Sequence, residues 1–314
     1  MPDGRLNDKR LGWVGCGRMG QALATRLLQA GCELAVYNRT RSKAEPLAEL
    51  GATIVERPAE LGDRDIVFTT LAGSADFEQV VTGPDGLLAN SAPSVIVDST
   101  TISAEVSERV RAHATERGTA LLAAPVSGNP KVVKAGRLTM VISGPEAAYE
   151  AALPFLETLA GGGVTYAGEG DRARLVKVCH NLMLGIVAQT LAEILVLGEK
   201  GGVSRASMME FLNNSVLGST FTRYKTPAYV NLDFSPTFTP PLLLKDFDLG
   251  YQAARQLGVP MPVAAAAQQA VQALIGDGST DVDFAALIAL QAKLSGLELE
   301  SEAASVSDGL ERAA

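Results

Sequence analysis

Apolar residues gather along the first half of the chain in short runs, at 11–14, 33–37, 53–55, 65–70, 95–98, 120–124, 138–142 and 164–166, with amphipathic stretches of helical spacing between them. Such alternation predicts β–α–β crossovers, hence an α/β domain built on a doubly wound, mostly parallel sheet covered on both faces. After Tyr166 the strands stop. Gly168-Glu169-Gly170-Asp171 supplies a turn and an N-cap, and a helical pattern then runs to Gly201-Gly202, about 30 residues or about 45 Å of helix. Further helices are predicted near 204–215, 240–257, 262–276 and 282–296. The pattern therefore divides into a sheet domain over 10–168, an all-α domain over 169–297 joined by the long interdomain helix, and a charged, poorly ordered tail over 298–314. There is no internal repeat or low-complexity segment.

The first strand opens onto Gly15-Cys16-Gly17-Arg18-Met19-Gly20, followed by a helical pattern over 21–30. Between strand and helix, this is the sequence form of a dinucleotide-binding turn: Gly15 for the tight turn, Gly17 for approach to a pyrophosphate, Gly20 for close helix packing. The second strand ends in Asn38-Arg39-Thr40-Arg41, where an NAD-preferring site usually places an acid for the ribose hydroxyls. Here there is none. Arg39, Thr40, Arg41 and Lys43 offer cations and a hydroxyl to a 2′-phosphate, which predicts NADP(H) over NAD(H), with NAD(H) possible. A solvated basic turn is the alternative, and Ser42-x-x-Glu45 has the form of a capping box.

Composition narrows the class. With 314 residues there is room for two cores, and a net charge of −8 provides no basic field for nucleic acid. The polar start of the chain is unlike a signal peptide, and the apolar stretch 182–197, interrupted by Gln189 and Glu193, reads as a buried helix rather than a membrane span. Three cysteines, Cys16, Cys32 and Cys179, have no metal spacing, which suits reduced thiols in the cytoplasm. No metal site, Ser-His-Asp arrangement or P-loop is present in the sequence.

In open α/β sheets ligands sit beyond the carboxyl ends of the strands. Two hydroxyl-bearing loops fall there, Asp98-Ser99-Thr100-Thr101 and Ala124-Pro125-Val126-Ser127-Gly128-Asn129. Farther on, Lys177 and Asn181 stand four apart on one face of the long helix, an amine beside an amide. Each has a plainer reading: Lys177 as a surface lysine, Ser127 as a turn-capping hydroxyl, Asp98 as the cap of the next helix. His180 either lines the site or packs in the helix, His113 faces solvent, and Gln189 and Glu193 join helices or subunits.

Taken in order, Gly15-x-Gly17-x-Met19-Gly20, Asn38-Arg39-Thr40, Asp98 to Thr101, Ala124-Pro125-Val126-Ser127-Gly128, Gly168-x-Gly170 leading to Lys177-x-x-x-Asn181, and Lys245-Asp246 resemble the β-hydroxyacid dehydrogenase family from about residue 10 to 295. The resemblance implies a Rossmann-type domain, an all-α substrate domain and an active site in the cleft between them. It implies Lys177 as catalytic acid/base and Asn181 orienting the substrate. Ser127 and Gly128 would hold the substrate carboxylate, with the Asn129 side chain brought into that loop, and Thr101 would lie near nicotinamide and substrate. The cofactor set would be Gly15, Cys16, Gly17, Arg18, Met19, Gly20, Asn38, Arg39, Thr40, Leu71, Thr101 and Lys245, with Asp246 fixing Lys245 or the domain contact. The expected partners are a small carboxylate substrate, a 3-hydroxy acid or its semialdehyde, and further copies in a homodimer or homotetramer, with no nucleic acid and no membrane. The loop 218–221 is the expected substrate-lining segment. Ala123 and Asn129 stand where the family usually has an acid and a second glycine, and His180-Asn181 where it often has an Asn pair. Alternatives are an imine reductase, a fold relative that usually lacks the lysine, and a catalytically silent NADP(H)-binding module.

Overall fold

The computed structural model describes Leu6 and residues 8–310, and their contacts divide into two compact units, 1–177 and 178–314. In unit 1 the strands β1 (Leu11–Val14), β2 (Leu34–Tyr37), β3 (Thr53–Ile54), β4 (Ile66–Thr69), β5 (Val95–Asp98) and β6 (Ala120–Ala123) form one parallel sheet in the order β3-β2-β1-β4-β5-β6. Strand order reverses between β1 and β4, which places the ligand crevice of an open α/β sheet at their carboxyl ends. The short strands β7 (Val126–Ser127), β8 (Thr139–Ile142) and β9 (Val164–Tyr166) make a second sheet, β7 antiparallel and β9 parallel to β8. The pattern alone suggests one sheet. A two-residue β7 is too short to leave a periodic signal, and it turns the chain into the second sheet instead.

The strand residues alternate between two apolar faces. Leu11, Trp13, Val36, Ile66, Phe68, Val95 and Val97 pack on one side, with α1 (Arg18–Gln29) and α6 (Glu146–Ala160). Val14, Ala35, Val67, Ile96 and Leu121 pack on the other, with α3 (Ser74–Thr82) and α4 (Ala104–Glu116). Trp13 stacks on Phe68 with ring centres 5.5 Å apart. The remaining helices of this unit, α2 (Glu45–Ala48) and α5 (Pro130–Lys134), are short. The expected capping box does not form: Ser42 falls inside a 3-10 turn, Arg41–Lys43, and makes no side-chain cap bond, and α2 is a single turn.

The helix α7 (Arg172–Lys200) begins in unit 1 and ends in unit 2, which adds α8 (Arg205–Asn214), α9 (Thr220–Asn231), α10 (Pro240–Leu257), α11 (Pro262–Gly276) and α12 (Leu287–Leu294). By length and composition α7 could cross a bilayer, but its Leu182, Ala188, Leu191, Ala192, Leu195 and Val196 are buried in the core of unit 2. α7 and α10 approach closely through glycine. A Cβ at Gly185 would stand 2.5 Å from the Phe247 ring, and one at Gly250 would stand 2.6 Å from Leu182.

The segment from 298 to 310 corrects the expectation of a poorly ordered tail. It has no regular secondary structure, yet Leu299, Ala304 and Val306 pack against the core of unit 2. The Glu302 carboxylate accepts from the N–H groups of Arg205 and Ala206 at 2.6 and 3.0 Å, capping α8, and Asn231 exchanges two hydrogen bonds with the Ala304 backbone. Residues 311–314 lie outside the described residues.

Candidate active site

The three glycines of the first turn are required for three separate reasons. Gly15 has φ +99°, and a Cβ there would stand 2.1 Å from the Thr70 carbonyl oxygen. A Cβ at Gly20 would stand 1.9 Å from the Gly15 oxygen, so this glycine lets α1 press on the turn. At Gly17 a Cβ would meet nothing within 4 Å, leaving that backbone open to an incoming group at the start of α1. Gly17 is also the N-cap of α1 and supplies no side-chain acceptor, so the orphan N–H groups and positive dipole end of a twelve-residue helix suit a phosphate. The residues present therefore fit a dinucleotide. Arg18 is exposed beside Gly17, and Met19 is half-buried against the core.

Two expected cofactor residues are occupied by the fold. Cys16 is fully buried, its N–H donates to Asn38 Oδ1 at 2.8 Å, and burial pushes its thiol up to about 12. Asn38 completes the link by donating from Nδ2 to the Thr40 carbonyl at 2.8 Å. Both residues shape the turn. Arg39 is exposed and pairs with Asp76 on α3 at 3.0 Å, and Arg41 pairs with Glu56. Leu71 follows β4, its N–H donating to the Thr100 hydroxyl at 2.9 Å.

The substrate-loop expectations divide. Gly128 has φ +137°, and a Cβ there would clash with Val132 at 2.8 Å, so glycine is obligatory beside Ser127 on β7. Asn129 is corrected: its Oδ1 accepts from the N–H groups of Lys131 and Val132 at 2.9 and 3.1 Å, so it caps α5 instead of offering that oxygen to a ligand. Asp98 is neither the cap of α4, a place taken by Ser103, nor open to ligand, being fully buried. It pairs with Arg174 on α7 at 2.8 Å. Thr101 is half-buried on the following loop.

The start of α7 is fastened within unit 1. The Ser143 hydroxyl accepts from the Ala173 N–H at 2.9 Å and donates to the Gly170 carbonyl at 2.8 Å. Arg111 on α4 reaches the Asp171 carboxylate, so Asp171 serves as an ion-pair partner at the helix start. Lys177, half-buried, is the last residue of this unit.

In unit 2 the buried Asn181 donates from Nδ2 to Asp246 Oδ2 at 2.6 Å, while its Oδ1 lies 2.9 Å from His180 Nδ1. With the amide so oriented, the hydrogen of the ring sits on Nδ1. Asn181 keeps one further N–H and one lone pair. Lys245 is exposed, with Nζ at 4.0 Å from Asp246, and the Asn181–Asp246 bond is a link across 65 residues that no local spacing reveals. The loop 218–221 is built as a helix start: Ser219 and Thr222 form a capping box, and Phe221 stacks on Phe284. Gln189 bonds Glu193 and Gln291 and so joins α7 to α12, and His113 is exposed. Among the described residues no cluster of acids, His and Cys could hold a metal.

A family profile for the NAD binding domain of 6-phosphogluconate dehydrogenase matches residues 10–168, and one described as NAD-binding of NADP-dependent 3-hydroxyisobutyrate dehydrogenase matches 171–291. The chain is 34% identical to an uncharacterised oxidoreductase of Bacillus subtilis, YfjR, over 88% of its own length and 97% of the relative's. It is 30% identical to 2-(hydroxymethyl)glutarate dehydrogenase of Eubacterium barkeri, over 92% and 97%. Among solved structures, 3-hydroxyisobutyrate dehydrogenase from Salmonella typhimurium superposes with a TM-score of 0.80 at 25% identity, over 90% of this chain and all of that one. These matches extend across both units, and with them the chain belongs to the β-hydroxyacid dehydrogenase family and is an NAD(P)-dependent oxidoreductase of CH–OH groups.

Proposed function

We propose that the protein moves a hydride between NADP(H) and a small 3-hydroxy acid or the corresponding semialdehyde, with Lys177 as acid/base. The observation that carries this reading is the concentration in unit 1 of an open glycine turn, the obligatory Gly128 beside Ser127, and Lys177 on a helix whose first turn is fastened to the same unit. The cofactor, when bound, supplies or accepts the hydride. In the reducing direction the Lys177 ammonium polarises the carbonyl and donates its proton to the oxygen as hydride arrives. In the oxidising direction the neutral amine takes that proton back. Ser127 and the Gly128 N–H hold the carboxylate, and Thr101 borders the reacting carbon. Asn181 turns its remaining N–H and lone pair to the substrate, and Lys245 takes a cofactor contact.

The preference for NADP(H) rests on Arg39 and Thr40 at the end of β2, where no acid is available for ribose hydroxyls. A cytoplasmic location, a homodimer or homotetramer, and no engagement of nucleic acid or membrane complete the proposal. The test is an activity panel of short hydroxy acids and semialdehydes with NADPH, NADP+, NADH and NAD+. Lys177→Ala should lower turnover by about 10²–10⁴-fold with NADPH binding intact. Retained turnover in that variant ends the assignment. NADPH binding without turnover across the panel would mark a silent binding module instead.

A further inference from the structure

A buried guanidinium holds the helix turn that leads to Lys177. Arg174, three residues earlier on α7, is 9% exposed. Its Nη2 donates to Asp98 Oδ2 at 2.8 Å, its Nη1 to the Thr100 carbonyl at 2.8 Å, and its Nε to the Ser107 hydroxyl at 3.0 Å. The other oxygen of Asp98 accepts from the Thr69 hydroxyl at 2.6 Å and the Thr100 N–H at 3.1 Å. The Thr100 hydroxyl in turn accepts from the Leu71 N–H. One planar cation thus ties together the ends of β4 and β5, the first turn of α4 and the first turn of α7, all inside unit 1.

Anchoring alone does not call for this arrangement. A buried ion pair carries a heavy desolvation cost, and well-packed apolar residues in its place are often as stable or more so. An arginine fork adds direction: three donors aimed at three fixed acceptors set the angle of the helix as well as its contact. Two of the three acceptors, Asp98 Oδ2 and the Thr100 carbonyl, belong to the Asp98–Thr101 segment, where nicotinamide and substrate are expected. The clamped residue sits one turn from Lys177 on a neighbouring position of the same helix.

We propose that Arg174 is a positioning residue that holds the Asp98–Thr101 loop and the Lys177 turn of α7 in fixed register for hydride and proton transfer. The inference rests on the reading of Lys177 given above. An error of about 1 Å in reacting geometry costs about 10²-fold in rate, so a large effect on turnover is expected without loss of cofactor affinity.

The test compares Arg174→Met, Arg174→Lys, Ser107→Ala and Lys177→Ala in the full chain, reducing succinic semialdehyde with NADPH and oxidising 3-hydroxyisobutyrate with NADP+. Turnover is expressed per NADPH-binding site. In Arg174→Met kcat falls by about 10–100-fold while the NADPH Kd stays within about twofold, and Arg174→Lys recovers part of the loss. Ser107→Ala, which removes one acceptor only, lowers kcat by about 2–5-fold with an unchanged melting temperature. It also keeps the test decisive if Arg174→Met does not fold. Wild-type kcat per site in the Arg174→Lys and Ser107→Ala variants, with Lys177→Ala inactive, overturns the proposal alone. An active Lys177→Ala overturns the reading beneath it as well.

Discussion

Each unit buries one cation against one aspartate, and the two pairs are set to different tasks. In unit 1 Arg174 meets Asp98; in unit 2 Lys225 meets Asp283 at 2.5 Å, the two residues 3% and 1% exposed. Both carboxylates also accept from a threonine hydroxyl at 2.6 Å, Thr69 on Asp98 and Thr237 on Asp283. The difference lies in what surrounds them. Asp283 collects the N–H groups of Thr237, Phe238 and Ala285, and Lys225 stands 4.5 Å from the centre of the Phe284 ring. That cluster fastens α9 to the turn before α12. The Arg174 cluster instead touches the loop and helix given chemical roles. On the reading proposed above, similar buried electrostatics close a core in one unit and align reacting groups in the other.

The sharpest way to break the comparison is Lys225→Met, which leaves Asp283 buried without its cation. A loss of about 3–5 kcal/mol is expected. Trp13 is the sole tryptophan and lies in unit 1, so its fluorescence follows that unit while far-ultraviolet circular dichroism follows the helices. The melting transition should drop by circular dichroism with NADPH affinity preserved. Equal loss of cofactor binding would show that the two pairs are not separable.

Acid provides the next test. Burial pushes the Asp283 carboxyl up, but Lys225, Thr237 and the Ala285 N–H together outweigh it and hold the group below the usual carboxylate range. A lowered folded-state value means the stabilisation is fully present above the unfolded value of about 3.9 and is lost as pH falls through the folded value. The helical melting temperature should therefore keep this contribution down to about pH 4 and lose it below. In Lys225→Met burial is left to push the Asp283 carboxyl up, so acid should restore part of the lost stability instead of removing it.

The smallest effect is the most discriminating. Thr69→Val and Thr237→Val each delete one hydroxyl on a buried carboxylate and should each cost about 1–3 kcal/mol. Only Thr69→Val should also lower kcat. A matched fall in kcat from both would erase the distinction between closing a core and aligning a site.

How much could be read before folding follows from how locally each feature is encoded. The parallel sheet is legible because β1, β2, β4, β5 and β6 are compact apolar runs buried on both faces, and α7 because its pattern continues from the 168–171 turn to Gly201-Gly202. The glycine turn was legible because each glycine answers a local steric demand. The packed segment 298–310 is not legible because apolar residues such as Leu299, Ala303-Ala304 and Val306 are sparse among acids and serines, without a helical or regular strand period. Asn129 misled because an amide at a loop end can bind a ligand or cap a helix, and Pro130 after it is the local sign of the cap. Arg174–Asp98 and Asn181–Asp246 join residues far apart in sequence, so only the fold brings them together.

Arg205 has a consequence for how the protein is made. Its guanidinium is wholly enclosed, and it relies on the Glu300 carbonyl, the Val230 carbonyl and the Glu199 carboxylate, with Glu302 close by. Until the ribosome has passed residue 302, that charge lacks part of its enclosure and the first two N–H groups of α8 lack their carboxylate acceptor. The helical half can therefore reach its native packing only once residue 302 has emerged, after the sheet half has had time to fold ahead of it.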